Sequence, residues 1–118
     1  MEETRTVRGE IALPTSGPLG TSADVIVQVE DVSRADAPSI VVGEQRQHGV
    51  FLHGGAVLPF AVEIPARFID ERRSYSVRVH INMSGSGNVE VGDLVSTQTY
   101  PVLTRGYGSE ARITVKRV

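Results

Sequence analysis

The feature that most constrains this chain is an alternation of period two. Tyr75, Val77, Val79, Ile81 and Met83 are apolar, and Ser76, Arg78, His80 and Asn82 between them are polar. Successive side chains of a strand point to opposite faces, so such a segment has one face for a core and one for water. The same pattern recurs in Val25, Val27 and Val29, where Ile26 blurs it, in Phe60, Val62 and Ile64, and in Ala111, Ile113 and Val115. Val7, Gly9, Ile11 and Leu13 form a weaker first strand. Ser39 to Glu44 reads as a short strand, and Val89 to Val95 as another, interrupted at Gly92-Asp93.

Turn chemistry separates these runs. Pro14 to Gly20 carries two prolines and two glycines and reads as a loop. Asp31 to Pro38 reads as a polar turn in which Asp31, Ser33 and Asp36 bond nearby backbone N–H groups. Ser84-Gly85-Ser86-Gly87-Asn88 reads as a hairpin tip, and Gly106-Tyr107-Gly108 as the turn before the last strand. Pro65 to Ser74 has room for one helical turn at most, with Pro65 suited to a first helical position.

Seven or eight short antiparallel strands with one apolar face each must bury those faces against one another. A single-domain all-β sandwich or small barrel is the economical outcome. We read residues 1–5 as an N-terminal arm and 6–118 as the domain. With three Tyr, three Phe and no Trp, the core is mostly Val and Ile. A chain of 118 residues buries about two-thirds of its unfolded surface, enough to be stable without metal or disulfide.

Composition removes several classes of function. Twelve basic and 14 acidic residues give a net charge of −2, which is not the electrostatic footprint of a nucleic-acid binder. No apolar run approaches the ~20 residues that cross a bilayer. With no cysteine there is no disulfide, thiolate metal site or thiol nucleophile. His48 and His53, five apart, fall on opposite faces of a regular strand, and His80 lies on the polar face of the best strand. They read as solvated surface histidines, and we assign no metal and no cofactor. Ser84 and Ser86 belong to a hairpin tip, without the Gly-x-Ser-x-Gly elbow of a hydrolase. Asp70-Glu71 followed by Arg72-Arg73 reads as a charge-compensated loop. No set of nucleophile, base and orienting group assembles, so we expect no enzyme.

One segment stands apart: Thr99-Tyr100-Pro101-Val102-Leu103-Thr104-Arg105-Gly106, which is rich in β-formers and free of acid. Pro101 bars it from a fully paired central strand. Two roles suit it: Val102 and Leu103 plug one end of the sandwich, or the stretch docks a partner strand or helix at an exposed edge. On the second reading the partner-binding residues are Tyr100, Val102, Leu103 and Arg105, with Arg105 placed for an acidic group. Tyr100 and Tyr107 offer a third reading, as aromatic platforms for a sugar or small molecule.

Five stretches, in order, carry a resemblance to a known family. They are Asp31-Val32-Ser33-Arg34-Ala35-Asp36-Ala37-Pro38, Pro59-Phe60, Ile69-Asp70, Tyr75-Ser76-Val77-Arg78-Val79 and Tyr100 to Gly106. Together they resemble the YbaY-like small bacterial envelope lipoproteins, a group that includes the YscW-type pilotins, lipoprotein chaperones of type III secretion. The resemblance implies a non-enzymatic binding module, with a secretin tail or another envelope protein as partner. It implies a membrane reached only through an N-terminal lipid anchor, and the cysteine that would carry it is absent from these 118 residues. The expected location is the periplasmic face of the envelope if a signal and lipobox were removed, and the cytoplasm if Met1 is the native start. An accessory envelope domain that takes no ligand is the other role expected of such a chain. A monomer or weak dimer is expected.

Overall fold

The computed structural model describes residues 3–15, 20–34 and 36–118. Most of the expected loop at Pro14 to Gly20 lies outside the described residues, as does Ala35 in the Asp31 turn. Eight strands are present among the described residues: β1 (Thr4–Ala12), β2 (Ser22–Asp31), β3 (Ile40–Phe51), β4 (Val57–Pro65), β5 (Tyr75–Asn82), β6 (Leu94–Ser96), β7 (Pro101–Val102) and β8 (Glu110–Arg117). One 3-10 turn, Ala66–Phe68, follows Pro65, in keeping with the single helical turn expected there.

The strands form one sheet in the order β3-β2-β5-β6-β8-β1-β4, with β7 added beside β5. Neighbours are antiparallel except β1 and β8, which run parallel with Arg8 opposite Glu110 and Ala12 opposite Thr114. The last strand therefore lies beside the first, and the sheet curls almost into a barrel, the second of the two architectures expected.

Each alternating run delivers its apolar face to the inside. Val25, Val27, Val29, Val62, Ile64, Val77, Val79, Ile81 and Ile113 are almost wholly buried. The aliphatic core also takes in Tyr75, whose hydroxyl accepts the Asp70 N–H at 2.8 Å and donates to the Phe68 carbonyl at 2.9 Å. That arrangement satisfies the phenol's polar end inside the core.

The two ends of the strand order, β3 and β4, meet at a seam. At Gly43 the strands come so close that a Cβ would stand 2.7 Å from the Ile64 side chain and 3.1 Å from the Glu63 carbonyl oxygen. Further along, side chains span the gap: Gln45 Oε1 accepts the Ala61 N–H at 3.0 Å, and Gln47 Nε2 donates to the Pro59 carbonyl at 3.3 Å. The edge strands thereby find partners without a continuous backbone ladder.

Two sequence expectations need correcting. The strand expected at Ser39 to Glu44 continues without a break to Phe51. Gln45 and Gln47 interrupt its apolar alternation because they face the seam. The strand expected from Val89 to Val95 is confined to Leu94–Ser96. Asp93 causes this: it takes the Met83 and Glu90 N–H groups on its carboxylate and so holds residues 84–92 as a loop.

Candidate functional site

The segment after β6 is built onto the open side of β5. Ser96 Oγ takes the Val79 N–H at 2.9 Å where β6 ends. The Tyr100 carbonyl then accepts the Val77 N–H, and Ser76 Oγ accepts the Tyr100 N–H. This delivers Pro101 and Val102 opposite Ser76 and Tyr75. Pro101 has no N–H to donate, and the strand is two residues long and paired only to β5, as its proline requires.

The four residues singled out by sequence lie here in two environments. Val102 and Leu103 are buried, at 1% and 7% exposure, and pack into the core. Tyr100 is half-buried, and its hydroxyl accepts the Thr114 N–H at 2.9 Å and donates to the Thr114 carbonyl at 3.3 Å. A phenol thus stands on the β6 side of β8 just past Val115, where the pairing with β6 ends. Arg105 is exposed.

The backbone between them is strained. Leu103 has φ of 74°, and the Thr104 N–H bonds the Val102 carbonyl two residues back at 2.9 Å. That is a γ-turn with positive φ at a branched residue, a rare and costly conformation. Arg105 is also left-handed, with φ of 60°. The neighbouring loop holds the turn in place: Thr104 Oγ1 donates to the Arg73 carbonyl at 2.5 Å, and an Arg105 Nη donates to the Arg72 carbonyl.

Beside this turn lies a cleft of about 230 Å³ lined by Val32, Ser74, Pro101, Val102, Arg105 and Tyr107, among others. Tyr107 is half exposed at its rim. Of the arginines nearby, Arg73 pairs with Asp31 at 3.1 Å and Arg72 with Asp70 at 3.2 Å. Burial pushes the Asp31 carboxyl upward. Hydrogen bonds from Ser33 and Arg73 outweigh it and hold the group below its ordinary range. The Arg72 guanidinium, with its N–H, lowers Asp70 in the same way. Arg105 has no carboxylate partner among the described residues, so the cleft rim is left with one uncompensated positive charge.

The histidines do not gather. His48 lies 3.4 Å from an Asp24 oxygen on the surface, and His53 meets the Phe51 ring edge-on at 4.6 Å. His80 differs from the solvated residue expected: its ring is mostly buried and its Nε2 lies 2.8 Å from Asp93 Oδ2. No group of three His, Asp or Glu able to hold a metal occurs among the described residues. Ser84 donates to Glu90 and Ser86 to the Asn88 carbonyl, both within their own loop. The Asp93 cluster and the strained Leu103 turn escaped sequence reading. The only trace of either is Asp93 breaking an apolar run and Leu103-Thr104-Arg105 preceding a glycine.

No helix among the described residues is long and apolar enough to cross a membrane. A family model described as "Type III secretion system lipoprotein chaperone (YscW)" matches residues 2–115. Among solved structures, an alternative pilotin from the type II secretion system of Vibrio cholerae superposes with a TM-score of 0.76 at 25% identity, covering 98% of each chain. A search of curated proteins finds no match.

Proposed function

Because the chain belongs to the YscW family of type III secretion system lipoprotein chaperones, we propose that it is a pilotin-like, non-enzymatic binding module whose partner is a segment of an envelope protein such as a secretin tail. The observation that carries this reading to a place is the strained turn at Leu103 beside the cleft. Backbone strain at a non-glycine residue persists where surrounding structure enforces it, and it concentrates at binding sites.

In this reading each residue of the segment has its own part. Val102 and Pro101 form an apolar floor, Tyr107 and Arg105 the rim, and Leu103 and Tyr100 anchor the segment from beneath. Arg105, with no carboxylate partner among the described residues, takes an acidic side chain or terminal carboxylate of the incoming segment, since its planar fork suits that group. An envelope location goes with this role.

The test is titration of the purified chain with a synthetic peptide of the secretin tail encoded in the same genome, followed by fluorescence anisotropy. Arg105→Glu and Tyr107→Ala change exposed side chains; because Arg105→Glu also removes the bond to the Arg72 carbonyl, circular dichroism and urea unfolding check that each variant keeps the fold. Each should weaken binding about tenfold, the scale of a lost charge-assisted contact or aromatic anchor. Equal affinity of both variants and the parent chain would overturn the site. Absence of binding by the parent chain to any such tail would overturn the secretin as partner.

A further inference from the structure

A second surface, on the outer face of β4, β1 and β8, has a charge pattern that fits its own copy. Arg8 lies between Ala61 on one side and Glu110 on the other, and Glu10 between Pro59 and Arg112. All six are exposed. The four charges therefore form a checkerboard, positive beside negative along both directions of the sheet. Among the described residues none of the four is in an ion pair within its own face. The face is also dished: a groove of about 690 Å³ runs across it. At its centre Gly9 presses against β8 so closely that a Cβ would meet the Ala111 carbonyl oxygen at 1.8 Å.

A two-fold interface is isologous, so a surface can pair with itself only if rotation sets each group against its complement. A face with a net charge of one sign fails that condition. Here a two-fold axis lying in the interface and running across the strands, between the two rows, sets Arg8 against Glu10 of a second copy and Glu110 against its Arg112. The same rotation lays the uncharged edge on itself, Pro59 against Ala61.

We infer that this face is a weak two-fold contact between copies of the chain, held by four reciprocal charge pairs over a Pro59–Ala61 strip. It is separate from the cleft at Leu103, so either assignment stands or falls without the other. Its small extent belongs with weak interfaces, with Kd near or below about 1 mM. It weakens with added salt, because the charge pairs of so small a contact stay within reach of solvent ions.

Sedimentation equilibrium of the parent chain, Arg8→Glu and Arg8→Glu/Glu10→Arg, at low and high salt, tests the assignment. The parent should self-associate at low salt. Arg8→Glu places two like-charged pairs in the symmetric contact and should raise Kd about tenfold or more. The double variant restores opposite charges across the axis and should recover association, a result that mere loss of folding cannot mimic; circular dichroism checks that all three remain folded. A parent chain that is monomeric up to about 1 mM at low salt overturns the proposal, and so does a double variant that stays dissociated.

Discussion

His80 on β5 and Asp93 before β6 meet at 2.8 Å, and the Asp93 carboxylate that receives this contact is 1% exposed. It also accepts the Asn82 amide, the Met83 N–H and the Glu90 N–H. One buried acid thereby ties the strand to both ends of the glycine-rich loop. A buried carboxylate is tolerated only when bonded in this way.

The pH dependence follows from the same geometry. Burial pushes the Asp93 carboxyl upward, but the bonds from His80, Met83, Glu90 and Asn82 outweigh it and leave the group below its ordinary range. Folded below unfolded, it contributes stability that is complete above about pH 4–5 and is lost as pH falls through the lowered folded value. Urea midpoints should drop below about pH 4 in the parent chain. Asp93→Asn should cost about 1–3 kcal/mol at pH 7 and flatten that acid slope. An unchanged slope in Asp93→Asn would assign the acid loss to other carboxylates.

Gly9 should tolerate no side chain. The Cβ of Gly9→Ala would stand 1.8 Å from a backbone oxygen of β8, so the parallel pair must separate. We expect a loss of about 2–4 kcal/mol in urea unfolding. Gly108→Ala meets no atom within 4 Å and should change stability by no more than about 0.5 kcal/mol. Equal effects of the two would contradict the close approach.

Gln45 should control opening of the seam. Gln45→Ala removes the acceptor of the Ala61 N–H, at a cost of about 1 kcal/mol. The sharper readout is amide hydrogen exchange, where Ala61 should speed up by roughly tenfold while the Val79 amide, bonded to Ser96 inside the sheet, keeps its protection. Unaltered exchange at Ala61 would mean that the seam is closed by other contacts.

Tyr100→Phe isolates the phenol that stands in for a strand. It leaves the Thr114 N–H and carbonyl without their partner but preserves the ring's packing. Stability should fall by about 1 kcal/mol, and the Thr114 amide should lose protection. No change in that amide's exchange would show that water serves Thr114 equally well.

The faces of the strands were legible in the sequence because they depend on neighbours two residues apart. Val77, Val79 and Ile81 alternate with Arg78 and His80 whatever the rest of the chain does, and the Asp31 turn needs only Ser33, whose N–H reaches Asp31 Oδ1 at 3.0 Å. The candidate segment was found because Pro101 and a run without acid are local signals. Its division into buried Val102 and Leu103 and exposed Arg105 was not, since burial depends on where β5 and the Arg72-Arg73 loop lie.

Short-range alternation and turn chemistry suffice to specify an all-β chain, its turns and the side of each main strand that goes inward. How the sheet closes, which glutamines bridge the seam, why Gly9 must remain glycine and why Leu103 accepts a strained φ are properties of the assembled fold. Each of these depends on a partner between 12 and 102 residues away or on a neighbouring loop. Such partners are selected by the register of the whole sheet, a global condition that no local pattern records.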